Sequence, residues 1–286
     1  KFKDIKITNF TANWLKNSST PTLDNLNLTI QSGKVTAVIG KIGSGKTTLL
    51  LSFLNEVPYT SGRIICDGNI AYVEQEPIVF SRTIRENIIF GHEYDEEFYK
   101  QVIKACCLEQ DFKQFDYGDM TLVGERGVTL SGGQKARLSL ARAVYSRSDV
   151  YLLDDPLSAV DTKVGKLLFD NVIKGVLKGK TVILVTHHLA YAKEADQVMV
   201  LDDGKLVAYG DFNEVQQKDI NLLKLFTKEN ESQEIDEENA RRMSSFKESK
   251  QSETSVVLEK IEEKRQSEDA TSTSWATYIN YIKSSG

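Results

Sequence analysis

Strand-like and helix-like segments alternate along residues 1 to about 228, which predicts an α/β fold built on a mixed or parallel sheet. Two further features support it. The apolar runs at 149–153 and 180–184 have the length and continuity of strands buried inside a parallel sheet. A glycine-rich loop at 40–47 joins a strand to a helix.

Residues 3–8, 24–30 and 34–39 read as strands, with a tight turn at Ser32-Gly33 between the last two. A helix begins near Gly45, runs through Leu54 and ends before Pro58. Residues 62–66 and 69–73 read as a hairpin around Asp67-Gly68. From Thr83 to about Phe115 the pattern is helical, with Phe98, Val102, Ile103 and Cys106 on one face. Another helix runs from Ser131 to Tyr145, and one more lies between the strands at 149–153 and 180–184. A second hairpin, 196–202 with 204–210, turns at Asp203-Gly204. After about Lys228, Glu, Ser, Lys and Gln dominate, which predicts a disordered linker over 229–270. Trp275, Tyr278 and Tyr281 recur every three residues and read as the start of another helix over 271–286, with a frayed tail as the alternative.

Composition narrows the classes. The 286 residues are 40% hydrophobic and 27% charged, enough for a packed core in one large domain or two modest ones. No run of eighteen apolar residues occurs, so no segment is expected to span a membrane. The chain begins with Lys1 and has no signal-peptide pattern, so it reads as a piece of something longer. The net charge is −5, and 13 acidic against 7 basic residues lie between Glu229 and Ala270. The body is then nearly neutral, which argues against a nucleic-acid partner. Cys66, Cys106 and Cys107 are odd in number and two are adjacent, which suits neither a disulfide framework nor a zinc site and points to reduced thiols in the cytosol.

The strand Val35–Ile39 runs into Gly40-Lys41-Ile42-Gly43-Ser44-Gly45-Lys46-Thr47, a G-x-x-x-x-G-K-[ST] loop in its required context. Its glycines let the backbone wrap phosphate oxygens, and successive amides at a helix N-terminus face the anion. Lys46 can reach the β- and γ-phosphates and Thr47 can ligate Mg²⁺. Gly40, Gly43, Ser44, Gly45, Lys46, Thr47 and the following Thr48 are the nucleotide-binding candidates of this loop. Such a site needs a metal-holding carboxylate at the end of a neighbouring strand, and Asp154, after Val150-Tyr151-Leu152-Leu153, fits.

Leu130-Ser131-Gly132-Gly133-Gln134, followed by Asp154, narrows the class further. With it the sequence resembles the ATP-binding cassette superfamily, whose signature is this pentapeptide. Ser131 and the two glycines open a helix, so bare amides again face an anion. The resemblance implies a P-loop NTPase core with a mixed or parallel sheet, an N-terminal antiparallel β subdomain and an inserted α-helical subdomain at about 76–135, within a nucleotide-binding domain over 1–228. It also implies that Ser131, Gly132, Gly133 and Gln134 cap the γ-phosphate held by a second cassette, in a head-to-tail dimer with ATP between the two. Membrane-domain coupling helices are the other implied partner.

The remaining family marks fall in order. Gln75, in Tyr72-Val73-Glu74-Gln75-Glu76-Pro77, matches the segment whose glutamine touches Mg²⁺ or the attacking water. Pro156-Leu157-Ser158-Ala159-Val160-Asp161 matches the family's D-loop, and Thr186-His187 closes a strand where the family places its switch histidine, with His188 read as a bystander. Trp14 lies where the family stacks an aromatic on adenine, and core packing is the alternative. Ser81-Arg82-Thr83-Ile84-Arg85-Glu86-Asn87-Ile88 and Gly124-Glu125-Arg126-Gly127 are similar to exporter cassettes. Within these the resemblance is to the C subfamily, the multidrug-resistance-associated proteins, the cystic fibrosis conductance regulator and the sulphonylurea receptors, at their first cassette. There an acidic linker leads into the second membrane domain.

One position departs from the pattern. Cassettes that hydrolyse ATP quickly carry Glu after the Asp154 position, and this chain has Asp155. The shorter side chain loses on the order of 1 Å of reach toward the water that it would orient. The expectation is an ATPase with slow turnover at its own site, the degenerate half of a pair, which supplies its intact signature to a faster partner. Gln75, Asp155 and His187 are the catalytic candidates, and Thr47, Gln75 and Asp154 the metal ligands. Arg241-Arg242-Met243-Ser244 matches a basophilic-kinase site, Lys264-Arg265-Gln266-Ser267 a weaker one, with a solvated charged linker as the plain alternative. The leading expectation is a cassette at the cytosolic face of a membrane, part of a multi-pass transporter. The alternatives are a nucleotide-sensing regulator of a channel or receptor, and a soluble cassette ATPase.

Overall fold

The computed structural model describes residues 3–16, 19–124 and 127–218. The expectations for the 229–270 linker, for Ser244 and Ser267, for the 271–286 helix and for Glu125-Arg126 lie outside the described residues.

The first strand, β1 (Ile5–Asn13), outruns the predicted 3–8. Asn9 takes φ 45° and shifts the register, so Ile5 and Ile7 are buried before it, Phe10 and Ala12 after it. Such a bulge breaks the period of two that a strand reading relies on. β2 (Leu23–Ile30) pairs antiparallel with β1. The turn at Ser32-Gly33 then carries the chain out of that sheet, and β3 (Val35–Gly40) pairs elsewhere. α1 (Lys46–Phe53) follows the glycine-rich loop, and β4 (Tyr59–Ile65) and β5 (Ile70–Val73) come next.

The predicted hairpin around Asp67-Gly68 does not form. β4 returns to β1, completing a three-stranded sheet of order β2-β1-β4. β5 lies parallel to β6 (Val150–Asp154) in the other sheet. The cause is visible in burial: β4 is exposed along nearly its whole length, whereas Ala71 and Val73 of β5 are buried. The crossing is pinned at once after the turn. The Asn69 amide donates to Asp149 Oδ2 at 3.0 Å, and the Asp149 and Val150 amides donate to the Asn69 carbonyl at 2.9 and 3.0 Å.

The single helical stretch read from Thr83 to Phe115 resolves into α2 (Ile84–Ile89), α3 (Glu96–Ala105) and α4 (Glu109–Phe112). A capping box starts α2, with Thr83 Oγ1 accepting from the Glu86 amide and Glu86 Oε2 accepting from the Thr83 amide. Left-handed residues break the run, Phe90 at φ 47° and Cys107 at φ 56°. α5 (Gly132–Tyr145) matches the expected helix. α6 (Thr162–Leu168) continues as a π-helical segment over Phe169–Val176 before β7 (Thr181–Val185). α7 (Leu189–Glu194), β8 (Gln197–Asp202), β9 (Lys205–Gly210) and α8 (Phe212–Lys218) complete the described fold. The hairpin at Asp203-Gly204 forms as read, with φ 45° and 75° at its two central residues, the combination a two-residue hairpin turn favours.

The larger sheet has the order β5-β6-β7-β3-β8-β9, parallel up to β8 and antiparallel at β9. Both of its faces are covered, which explains the uninterrupted apolar runs. Tyr151, Leu153, Val182 and Leu184 face a core shared with α2, α3, α5 and the π-helical segment. Val150, Leu152, Ile183 and Val185 face a second core shared with α1 and the three-stranded sheet. Each such fully buried aliphatic side chain contributes roughly 2 kcal/mol of transfer free energy. No helix among the described residues is long and apolar enough to cross a membrane.

Candidate functional site

Because β3, β5, β6 and β7 are parallel, their carboxyl ends share one edge of the sheet, where open α/β sheets bind ligands. Gly40, Asp154 and the Thr186-His187 pair stand there, and Gln75 lies exposed two residues beyond the end of β5.

The glycine-rich loop starts where β3 presses against β8. A Cβ at Gly40 would lie 2.2 Å from the Leu201 carbonyl oxygen and 2.5 Å from Ser44 Oγ, so only glycine fits. The loop is closed by the Ser44 amide on the Lys41 carbonyl at 3.1 Å and held to the β8–β9 turn by the Gly204 amide on the Ser44 carbonyl at 3.2 Å. No side chain caps α1, so its first amides are open to an anion. Ser44 Oγ is buried without a hydrogen-bond partner. The Lys46 ammonium, itself buried, donates to the Gly40 and Lys41 carbonyls at 2.7 and 2.8 Å. Burial lowers its pKa, against the pull of Asp155 and Asp154 in the other direction.

Asp154, at the end of β6, is buried, and burial raises its pKa; the Thr47 hydroxyl, the Lys46 charge and the Tyr72 hydroxyl act the other way. Its Oδ2 has no hydrogen-bond partner. An orphaned carboxylate oxygen beside a threonine hydroxyl suits a hard divalent cation. No cluster of three His, Cys, Asp or Glu capable of holding a metal exists among the described residues. The Asp154 carboxylate and the Thr47 hydroxyl fit Mg²⁺, a hard cation that takes oxygen donors and few protein ligands.

Asp155 is buried and left-handed, at φ 49°. Its amide donates to the Val185 carbonyl at 3.1 Å, and its carbonyl accepts from the Ser158 amide at 3.3 Å and Ser158 Oγ at 2.9 Å. This fixes the residue between β6 and β7. His187 follows Thr186, whose amide bonds the Val38 carbonyl at 3.2 Å and so ties this corner to β3. The imidazole is pushed down to about 4, first by burial, then by the charge of Lys46, then by His188. His188 instead packs edge-on against Tyr191, centroids 5.5 Å apart.

Folding thus favours neutral His187. Its stabilising contribution is whole above the unfolded value of 6.5 and is lost as pH falls through about 4. Urea unfolding between pH 6.5 and 4 is expected to show a steeper stability loss in the wild type than in His187→Gln. Parallel curves would contradict the buried-imidazole account.

Trp14, one residue past β1, lies outside the core, 43% exposed, with its Nε1 donating to Thr48 Oγ1 at 3.1 Å.

The signature stands apart, at the start of α5. Ser131 and Gln134 form a capping box, Gln134 Oε1 accepting from the Ser131 amide at 2.9 Å and Ser131 Oγ from the Gln134 amide at 3.2 Å. Gln134 Nε2 also donates to Asp111 Oδ1 at 3.0 Å, an oxygen it shares with Arg137. The Gln134 amide is thereby engaged within its own domain. A Cβ at Gly133 would meet the Ala159 carbonyl at 3.2 Å, but one at Gly132 would meet nothing within 4 Å. No hydrogen bond or ion pair among the described residues joins Ser131–Gln134 to Gly40–Thr48.

Several contributors escaped the sequence reading. Tyr72 reaches Asp154 from a neighbouring strand, and only the β5–β6 register reveals that. Asp111 reads as one more charge in a helical stretch, yet it is buried against the signature. Arg142 of α5 donates to the Asn87 carbonyl at 2.8 Å, to Asn87 Oδ1 at 2.9 Å and to the Ile78 carbonyl at 3.0 Å. It thus straps the stretch after Gln75 to the helix that carries the signature.

The family described as ABC transporter matches residues 23–158. Human ATP-binding cassette sub-family C member 4 is 49% identical over 232 residues, 81% of this chain and 18% of that protein. ABC transporter C family member 9 of Arabidopsis thaliana is 41% identical over 269 residues, 94% of this chain and 18% of that protein. The probable multidrug resistance-associated protein lethal(2)03659 of Drosophila melanogaster is 48% identical over 208 residues, 73% of this chain and 15% of that protein. The chain spans less than a fifth of the length of these curated relatives.

Proposed function

The chain belongs to the ABC transporter family, in its C subfamily, and from that premise we propose that it is an ATP-binding, slowly hydrolysing cassette, the degenerate-site half of a transporter that pairs head to tail with a second cassette. One observation carries the reading: the glycine-rich loop, Asp154, Asp155, Gln75 and His187 converge at one edge of a single sheet. Lys46 then exchanges its carbonyl partners for β- and γ-phosphate oxygens, and the open amides of α1 bind the remaining charge. Thr47, Asp154 and Gln75 would hold Mg²⁺, which neutralises charge on the phosphates when bound. Asp155 aligns water toward the γ-phosphate, and His187, neutral at pH 7, meets that phosphate as a hydrogen-bonding group rather than a cation. Trp14 stacks on the base.

The open space at Gly132 supports the pairing. Among the described residues a Cβ there would meet nothing within 4 Å, which leaves room for a group that approaches from outside, such as a partner's nucleotide. The matched family's description and the Arabidopsis thaliana relative's name, both of which say ABC transporter, favour a cassette at the cytosolic face of a membrane, joined to membrane domains through coupling helices, over a soluble ATPase. Asp155 supports a second reading, a nucleotide-sensing cassette that gates a channel or receptor. Arg241-Arg242 before Ser244 supports a basophilic kinase as a further partner, checked by mapping phosphosites after kinase treatment; Ser244 unmodified overturns it.

The test of the main reading is thermal unfolding of the whole chain. MgATP at 100 times its dissociation constant is expected to add about 2.7 kcal/mol of stability. An unfolding temperature indifferent to millimolar MgATP contradicts the reading.

A further inference from the structure

Position 134 is a glutamine where the helix start alone would accept a glutamate equally well. Ser131 and Gln134 form a capping box, and such a box takes either residue, because it needs one side-chain oxygen on the amide of the cap. What separates the two lies on the other side of the Gln134 amide. Its Oε1 accepts from the Ser131 amide at 2.9 Å, while its Nε2 donates to Asp111 Oδ1 at 3.0 Å. A carboxylate paired with an arginine, as Asp111 is with Arg137, accepts hydrogen bonds and donates none. Asp111 therefore admits the nitrogen end of the amide and refuses the oxygen end. Turned over, the amide would set a donor against the Ser131 N–H and an acceptor against Asp111.

Asp111 is itself held in place. It lies in α4, only 7% exposed, and the same Oδ1 accepts from Arg137 Nη2 at 3.1 Å. Arg137 also donates to the Cys107 carbonyl at 3.0 Å and to the Gly133 carbonyl at 3.2 Å. The other carboxylate oxygen, Oδ2, is buried without a hydrogen-bond partner. A buried charge satisfied on one oxygen is a poor source of stability, so its value lies in the geometry that it imposes. That geometry is the opening of α5. The capping box takes the Ser131 and Gln134 amides. The first amides of a helix have no acceptor within it, so those of Gly132 and Gly133 carry the anion-binding capacity of this terminus.

We propose that Asp111 is a positioning residue for the signature: its carboxylate fixes the Gln134 side-chain amide with Oε1 on the Ser131 amide, and so sets the opening of α5 in the form that receives a partner cassette's nucleotide. The proposal rests on the head-to-tail reading for its function. The orientation of the amide is testable without that reading.

The experiment has two arms. On the whole chain, hydrogen exchange of the Ser131 amide reads the capping bond. Asp111→Asn, which keeps shape but offers the Gln134 amide a donor as well as an acceptor, is expected to speed that exchange about five-fold, the size of one net hydrogen bond. The double variant Asp111→Asn with Gln134→Glu reverses donor and acceptor across the contact, and is expected to return exchange to the wild-type rate. In the full-length protein, kcat/KM for MgATP reads the site that this signature serves. Gly132→Asp, which fills the open space with a negative charge, is expected to lower it about 100-fold; no loss there means that the head-to-tail reading has failed, whatever the exchange shows. If that loss occurs, Gln134→Glu is expected to lower kcat/KM about ten-fold by facing one carboxylate with another, and adding Asp111→Asn to restore it to within about three-fold of wild type. A merely structural role for Asp111 would make the second substitution add to the damage. Should Gln134→Glu alone lose its cooperative unfolding transition, the exchange of Asp111→Asn decides. Unchanged Ser131 exchange in Asp111→Asn, or a double variant no faster than Gln134→Glu, would overturn the proposal.

Discussion

Asp155→Glu is expected to raise single-turnover ATP hydrolysis at this cassette's own site by ten-fold or more, measured in the full-length protein with the site of the proposed second cassette inactivated. The remaining machinery stands at the same sheet edge: Lys46 on the loop, Asp154 with its orphaned Oδ2, and His187 held neutral. On the proposed reading these residues would supply electrostatic stabilisation of the transferring phosphoryl group, and alignment of the water would be the deficient contribution. One methylene restores on the order of 1 Å of reach, and misplacement on that scale can cost about 100-fold. A ten-fold gain corresponds to about 1.4 kcal/mol of barrier. The structure adds a countervailing expectation. Asp155 occupies φ 49°, a left-handed backbone that Asp tolerates better than most residues. Glutamate there should lower folding stability by about 1 kcal/mol, so the faster variant should also be the less stable one. No acceleration would contradict the proposal that Asp155 limits turnover at this site.

Local chemistry was legible in the sequence wherever it is written in consecutive residues. The glycine-rich loop needs a strand before it and a helix after it, and both periodicities are present around Gly40 and Lys46. The hairpin at Asp203-Gly204 is specified by its own two residues. The capping box of α5 is contained in Ser131 to Gln134. Sequence reading lost ground where the deciding partner is distant. The strand at 62–66 and the strand at 69–73 are joined by a plausible turn, but Asp149, some eighty positions away, draws the second into another sheet. Asn9 takes a left-handed conformation inside β1, and the alternation that marks a strand changes phase there. Within the site, Tyr72 and Asp111 were invisible for the same reason. Each is defined by a contact to another element, with Asp154 in one case and Gln134 in the other, and no spacing along the chain encodes either.

The other large effect belongs to Lys46. Its ammonium is nearly withdrawn from water and bound to two loop carbonyls, so it reaches phosphate with little left to desolvate. Hydrogen bonds to charged groups are worth about 1.5–3 kcal/mol each, and on the proposed reading Lys46 makes two to the triphosphate in place of its bonds to the Gly40 and Lys41 carbonyls. The measurement that tests the central claim most directly is a MgATP titration of the whole chain and of Lys46→Ala, followed by unfolding temperature, with a single cooperative transition required of both proteins. The account predicts that the wild type is stabilised progressively with MgATP and that Lys46→Ala needs at least about 100-fold more nucleotide for the same shift. Coincident titration curves for the two proteins would contradict it, because the triphosphate would then be bound somewhere other than the loop between β3 and α1.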